Sequence, residues 1–239
     1  MSAERVTILV CTHDDAATID DALDSALAQT ASRADFRVLV VDDASTDATP
    51  ERLRRRPEVE VLRLPVNRGL VGACNAGLER IATPSFLRLD GDDELMPDAV
   101  EALLDRADEA RADVVSCDRW EEYPSGRRLR ALGEPPELRD LVAAGVLLPT
   151  ALVRAVGGYR SLFWEEFDLY LRLLESGRCV QAHVARPLYV YRVGRDGAMT
   201  SDEAAVAAGW DELRDHWAAD VLRRHGLAAD EEGVPGRAA

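Results

Sequence analysis

Lysine is absent from this chain of 239 residues, and all 29 basic side chains are arginine. They stand against 44 acids, a formal charge of −15. That balance argues against nucleic acid or an anionic membrane as the main partner, since both are recognised through basic surfaces. It fits instead a need for solubility, whether in a salty cytoplasm or as the product of a GC-rich genome. Closely paired cysteines are also missing. Cys11, Cys74, Cys117 and Cys179 are widely spaced, with no Cys-x-x-Cys. Reduced thiols are expected in a cytosolic protein, buried at Cys11 and Cys117. No apolar run approaches the roughly 18 residues that a membrane span requires. No signal peptide is expected before the first apolar run. The expected location is cytoplasmic, or peripheral at the inner membrane face. No internal repeat is present, and the length suffices for a full hydrophobic core.

What the chain does have is a regular alternation of short apolar runs and amphipathic stretches. Residues 6–10, 36–41, 59–64, 86–90 and 114–117 read as strands, the third of them edge-like. Helices are expected from residue 18, with Thr18 as N-cap, and from residue 49, with Thr49 as N-cap and Pro50 in the first turn. Two more are expected over residues 70–81 and 97–110. This strand–helix rhythm predicts an α/β fold with a mostly parallel sheet flanked by helices. The rhythm then changes. Residues 125–136 read as a mobile, arginine-rich loop, followed by short helices over 137–144 and 150–156 and a break at Gly157-Gly158. A helix over 166–176, strands over 180–185 and 188–192, and a last helix over 202–225 complete the pattern. Trp210, Leu213, Trp217 and Val221 lie on one side of that last helix, as in a helix packing on its own domain. The organisation expected is a domain over 1–200, with a nucleotide-binding half (1–118) and an acceptor half (119–200). A C-terminal helix (201–225) and a disordered tail (226–239) follow.

Two strand ends finish in acids: Asp42-Asp43 after Val38-Leu39-Val40-Val41, and Asp90-Gly91-Asp92-Asp93 after Phe86-Leu87-Arg88-Leu89. Ligands of open α/β sheets bind beyond the carboxyl ends of strands. Three crowded carboxylates are costly unless a cation or a sugar's hydroxyls sit between them. Their hard oxygens suit Mg²⁺ or Mn²⁺ bridging to a diphosphate. The bland alternative is a solvated turn of Asp and Gly. Asp42-Asp43-Ala44-Ser45 has a similar alternative, an Asx-type turn, against a carboxylate there accepting a hydrogen bond from a nucleotide base. Glu165-Glu166-Phe167-Asp168 opens an amphipathic helix, where acids favour the dipole and a general base is equally allowed.

Taken in order, these motifs resemble glycosyltransferase family 2, nucleotide-sugar-dependent enzymes of the GT-A fold. The resemblance is carried by Cys11-Thr12-His13-Asp14, Ser25 to Thr30, Asp42 to Asp47, Asn67-Arg68-Gly69 and Asn75-Ala76-Gly77. It continues through Leu89 to Asp93, Met96-Pro97, Gly157-Gly158-Tyr159, Glu165 to Leu169 and Pro187 to Arg192. Each motif alone is weak; the ordered set is specific.

The resemblance implies an inverting transfer from a nucleoside diphosphate sugar, a UDP-sugar first of all, to an acceptor hydroxyl. The acceptor would be a glycan, a lipid-linked sugar or a small molecule. Asp43 would read the base, with Thr12, His13 and Asn67 around the nucleotide. Asp90 and Asp92 would lie near the ribose and metal, Asp92 and Asp93 would hold Mg²⁺ or Mn²⁺, and Glu166 would be the catalytic base. Arg192 and Arg195 would serve the diphosphate, and the C-terminal helix could pair two copies as a homodimer. Three departures stand out: Glu166 replaces the usual aspartate, His13 the usual tyrosine, and Cys11 a proline or threonine. Two rivals remain open, a sugar nucleotidyltransferase and a non-catalytic nucleotide-sugar-binding module. The first would want a Gly-rich phosphate loop ending in arginine and lysine, which Cys11-Thr12-His13-Asp14-Asp15 is not.

Overall fold

The computed structural model describes residues 4–132, 136–142, 144–193 and 202–227. A nine-stranded sheet runs in the order β3-β2-β1-β4-β8-β6-β9-β5, with β7 attached to β6. Its first half is parallel: β1 (Val6–Thr12), β2 (Phe36–Asp42), β3 (Glu60–Arg63) and β4 (Ser85–Asp90). The parallel strands are covered on both faces, and their side chains divide with a period of two. Leu9, Cys11, Leu39 and Val41 face one core, under α3 (Gly69–Arg80) and α6 (Glu165–Glu175). Val6, Ile8, Val10, Val38 and Val40 face the other, under α1 (Ile19–Leu27) and α4 (Ala99–Ala110). The fold expected from the alternation is therefore present. α2 (Thr49–Arg54) completes the flanking helices of this half.

Gly77 lets α3 lie close against the sheet. A Cβ there would stand 2.4 Å from Leu9 Cδ1 and 3.1 Å from Val41 Cγ2. Asn75, two residues earlier on the same helix, holds Tyr159 by both backbone groups: its Nδ2 donates to the Tyr159 carbonyl (2.8 Å) and its Oδ1 accepts the Tyr159 N–H (2.9 Å). Gly158 precedes that clasp at φ +68°, and a Cβ there would meet Asn75 Oδ1 at 2.6 Å. Gln29 does similar work at the other core, donating to the Ser25 and Met96 carbonyls and accepting from Val100 N–H.

The second half departs from expectation in several places. β6 is longer than foreseen, Val114–Tyr123, and residues 126–130 are not a loop but a strand, β7 (Gly126–Arg130), folded back on it as a hairpin. Arg127 pairs with Glu122 and Arg128 stacks over Tyr123, so cross-strand partners order an arginine-rich sequence that composition marked as mobile. The helix expected over 137–144 is a single 3₁₀ turn, Leu138–Asp140. β8 (Leu147–Pro149), too short to register as a strand, fills the space between β4 and β6 and is antiparallel to both. β5 (Glu94–Leu95) and a continuous β9 (Gln181–Arg192) close the other edge, with a bulge where two strands were expected. The last helix is two, α7 (Glu203–His216) and α8 (Ala219–Arg224). Trp210 and Leu213 are buried in their own domain, Trp210 against Trp164 and Phe167. Thr18 is the N-cap of α1 as expected, although its hydroxyl bonds the Gly91 carbonyl and no N–H of the helix. Thr49, expected as a cap, lies inside α2, whose N-cap is Ala48.

The four cysteines are free thiols, with Cys11 and Cys117 buried as expected. Among the described residues, no helix is long and apolar enough to cross a membrane.

Candidate functional site

The first cluster lies beyond the carboxyl ends of β1 and β2. Asp43 N–H donates to the Thr12 carbonyl (2.9 Å), and His13 Nδ1 donates to the Asp43 carbonyl (2.8 Å). Asn67 Oδ1 accepts Gly69 N–H, so its Nδ2 is the donor to His13 Nε2 at 2.9 Å. Because the Asp43 carbonyl can only accept, Nδ1 of His13 carries a proton. The Asp43 carboxylate is buried and accepts Arg68 N–H at 2.7 Å. Four residues expected to serve a nucleotide, Thr12, His13, Asp43 and Asn67, thus form one bonded group.

Asp14 stitches this group to the loop after β2. It adopts φ +57°, a left-handed conformation that Asp tolerates better than most residues. Its carboxylate accepts the N–H groups of Thr46 (2.6 Å) and Asp47 (3.2 Å). The Thr46 backbone bond, foremost, keeps the Asp14 carboxyl below its usual range. Ser45 N–H bonds Asp42 Oδ1 at 2.9 Å, so the Asx-type turn is real and coexists with the cluster.

The acid string is the second cluster, and it is less open to a cation than its sequence suggested. Asp90 is matched by Arg88, whose Nε and Nη2 reach its two oxygens at 2.8 and 3.1 Å. Asp93, expected to ligate metal directly, points inward instead. It is 1% exposed, accepts the Tyr189 hydroxyl, and accepts Arg192 N–H at 2.8 Å. Burial, then the neighbouring charges of Asp90 and Asp92, push its carboxyl well above the usual range. Asp90 and Asp93 are thus engaged within the protein, and Asp92 beside them is half-buried. Arg192 is held by acids too: its guanidinium bonds Glu94, Glu122 (3.2 Å) and the Asp92 carbonyl (3.0 Å). These bonds tie Arg192, the residue expected at a diphosphate, to the acid string. Arg195, its expected companion, lies outside the described residues.

Among the described residues, no three His, Cys, Asp or Glu side chains converge as a ready-made metal cage. This donor set still fits Mg²⁺ or Mn²⁺. Such ions keep water and substrate phosphates as ligands and take one or two carboxylates from the protein.

Gly91 joins the two clusters. Its N–H bonds the Cys11 carbonyl at 3.1 Å and its carbonyl accepts Thr18 Oγ1 at 3.0 Å. A Cβ at Gly91 would meet Asp15 Oδ2 at 2.6 Å and Thr12 Oγ1 at 3.0 Å. The acid string can approach the loop after β1 because this position has no side chain.

The third cluster is at the start of α6. Glu165 is 3% exposed and bonds Arg88 Nη1 at 3.0 Å, while Arg88 itself is 2% exposed. Breaking one side of such a buried pair costs roughly 3–5 kcal/mol. Glu166 follows, half-buried. Burial first, then the adjacent Glu165, raise its carboxyl well above the usual range, against the lowering influence of Arg88. The helix dipole was expected to favour its ionised form, but that effect is worth only about 0.3–1 kcal/mol. Withdrawing a carboxylate from water costs several kcal/mol. Desolvation wins.

Sequence reasoning missed three residues here: Arg88, Glu165 and Tyr189. A charged residue at a central position of an apolar strand was the available signal for Arg88, because a buried arginine requires partners.

The glycosyl transferase family 2 profile matches residues 7–165. The chain therefore belongs to that family and carries a glycosyltransferase domain. It is 33% identical to the succinoglycan biosynthesis protein ExoO of Rhizobium meliloti (strain 1021), over 214 residues covering 85% of this chain and 56% of the relative. The chain thus spans about half the length of that relative. Its fold is that of S. aureus TarS 1-349 in complex with UDP-GlcNAc, with a TM-score of 0.76, 18% identity and coverage of 95% of this chain and 68% of the other. The mannosyltransferase PcManGT from Pyrobaculum calidifontis, solved with GDP-Man and Mn2+, matches with a TM-score of 0.71, 18% identity and coverage of 95% and 68%. These neighbours establish the GT-A fold.

Proposed function

We propose that this chain is an inverting glycosyltransferase that moves a sugar from a nucleoside diphosphate sugar, first of all a UDP-sugar, to an acceptor hydroxyl. One observation carries the reading. The nucleotide group around Asp43, the acid string and the Glu165-Glu166 pair are linked through Gly91 and Arg88 at one end of the sheet. Asp43, His13 and Asn67 would orient the base, with the rigid imidazole offering a flat face to it. Asp92 would be the protein carboxylate for Mg²⁺ or Mn²⁺. Bound there, the ion would neutralise the charge of the diphosphate. Glu166 would take the acceptor's proton as that oxygen bonds to C1 of the sugar. The bond from C1 to the diphosphate breaks on the opposite face, which inverts the configuration. The relative and neighbours named above act as further support, since one is a biosynthesis protein for succinoglycan and others are solved with UDP-GlcNAc or GDP-Man.

The test is a thermal-shift panel of UDP, GDP, UDP-GlcNAc and GDP-mannose, with Mn²⁺, Mg²⁺ or chelator. A ligand at 100 times its Kd should stabilise the fold by about 2.7 kcal/mol. Asp92→Asn should abolish the metal-dependent part of that shift. Asp93→Asn should bind nucleotide within a few-fold of wild type and melt no lower. Its amide can accept Arg192 N–H and donate to Tyr189, while its charge beside Asp90 and Asp92 is removed. Metal-dependent binding lost in Asp93→Asn and kept in Asp92→Asn would reverse the assignment. No shift with any nucleotide would remove the donor site altogether.

Asp43→Ala should weaken nucleotide binding, with a proportionate rise in donor KM and little change in kcat, because it removes binding common to ground and transition states. Isothermal titration with UDP checks this. Unchanged affinity would place the base elsewhere.

A further inference from the structure

Arg88 occupies a position that neither the nucleotide nor the proton transfer explains. It is a fully buried guanidinium in the central strand β4, and its fork spans two acids from different parts of the fold. One is Asp90, two residues along its own strand, which leads into Gly91 and Asp92. The other is Glu165, the first residue of α6 and the immediate neighbour of Glu166. Three bonds of 2.8, 3.1 and 3.0 Å saturate most of a planar donor set that only arginine presents. From these contacts we propose that Arg88 is a positioning residue. It holds the start of α6, and with it Glu166, at a fixed distance and orientation from the donor-binding acid string. The inference rests on the reading of Glu166 as the base.

The charges around the pair agree with this geometry. Arg88 faces Asp90 on β4, Cys74 on α3, Tyr159 before α6, and Glu165. Burial works against its charge, but these partners win and raise its pKa well above the usual value. Glu166 faces Glu165 and Arg88, and Tyr170 one turn along α6 feels its charge in turn. Arg88 is therefore a cation set against both glutamates. Were it serving packing alone, an apolar side chain of similar volume would fill the site without charge. Its cost is instead matched to two carboxylates that belong to different halves of the proposed reaction.

The experiment compares wild type, Arg88→Lys, Arg88→Met, Glu165→Gln and Glu166→Gln. It measures kcat and donor KM across pH, and follows Glu166 directly by its ¹³Cδ chemical shift in glutamate-labelled protein, assigned by the resonance missing in Glu166→Gln. Arg88→Lys keeps a charge but loses the fork. It should lower kcat at least tenfold while donor KM stays within about threefold, the split expected when a reacting group is misplaced. In Arg88→Met the Glu166 titration and the acid limb of kcat should move to higher pH. In Glu165→Gln, which removes the adjacent like charge, both should move to lower pH. Should Arg88→Met not fold, Arg88→Lys and Glu165→Gln decide the matter. The proposal is overturned if Glu166 titrates at the wild-type pH in Glu165→Gln and Arg88→Lys retains full kcat. Full activity in Glu166→Gln would instead remove the base assignment, and the carbon shifts would still report whether Arg88 and Glu165 control Glu166.

Discussion

Glu166→Gln is expected to lower kcat by roughly 10²- to 10⁴-fold, the usual worth of a general base, with little change in donor KM. The substitution is nearly isosteric and keeps a polar group at the start of α6, so donor binding should survive. Release of free nucleoside diphosphate by donor hydrolysis should fall with transfer, which also separates this enzyme from a binding module without turnover. The product from an α-linked donor should be the β-glycoside by NMR. Retained configuration, or full activity in the variant, would return Glu166 to the rank of an ordinary helix-start acid.

The same substitution carries a stability signature of opposite sign. The folded-state pKa of Glu166 lies above its unfolded value, because burial and Glu165 disfavour the charge. Below the ordinary carboxylate range the residue is neutral in both states and costs nothing. As pH rises toward the raised value, the unfolded chain ionises while the folded one resists, and stability is lost across that window. Glu166→Gln escapes the loss. It should melt alongside wild type near pH 4 and above it at pH 8, where each kcal/mol recovered reads as about 2–4 °C for a chain of this size. Wild-type kcat should rise with pH through a limb above the ordinary carboxylate range. Equal melting temperatures at both pH values would mean that Glu166 is well solvated. A residue that destabilised the fold while serving the proposed chemistry would be the exchange familiar at active sites.

The parallel half of the fold was legible because its strands are apolar on both faces and its connections are helices with clear periodicity. Val6, Ile8 and Val10 point one way, Leu9 and Cys11 the other, and a continuous apolar run is what such burial produces. The second half was less legible: β5, β7 and β8 pair antiparallel there, while β9 runs parallel to β6. Its order comes from pairings between distant segments, such as Glu94 with Val190 and Leu148 with Phe86, and two- or three-residue strands leave no periodic trace. In the hairpin, Arg127 meets Glu122 and Arg128 meets Tyr123 across the strand, matches that composition does not reveal. The site divides in the same way. Residues at strand ends were found by position, and Asn75, Gly77 and Gly158 were quoted as motifs whose purpose only the packing supplied. Asp93 and Arg192 were read by motif as serving a cation and a diphosphate, and the structure adds their bonds to Tyr189, Glu94 and Glu122. One sequence lists its acids without saying which are already spoken for.

Gly91 provides the sharpest test of how the site is assembled. The residue is buried between two clusters, and an alanine Cβ would lie 2.6 Å from Asp15 Oδ2 and 3.0–3.1 Å from Thr12 Oγ1 and Cβ. Neither atom is free to withdraw. Asp15 Oδ2 accepts the Thr12 hydroxyl at 2.8 Å and His13 N–H at 3.2 Å, and Thr12 belongs to a strand paired on both sides. The relief available is displacement of the loop that carries His13, or of the acid string that carries Asp92. A shift of about 1 Å in such parts can cost on the order of 10²-fold. Gly91→Ala should therefore weaken metal-dependent nucleotide binding by about that factor, and Gly91→Val should abolish it. The sheet beneath is unchanged, so far-ultraviolet circular dichroism should match wild type. Asp15→Ala removes the nearest obstructing atom while sacrificing two hydrogen bonds. Added to Gly91→Ala it should restore part of the lost affinity, so that the two substitutions couple favourably in a double-mutant cycle. Strict additivity would mean that the contact at Asp15 does not set the approach of the two clusters. Wild-type affinity in Gly91→Ala would mean that loop and acid string move independently, and that the donor site is not built by their contact.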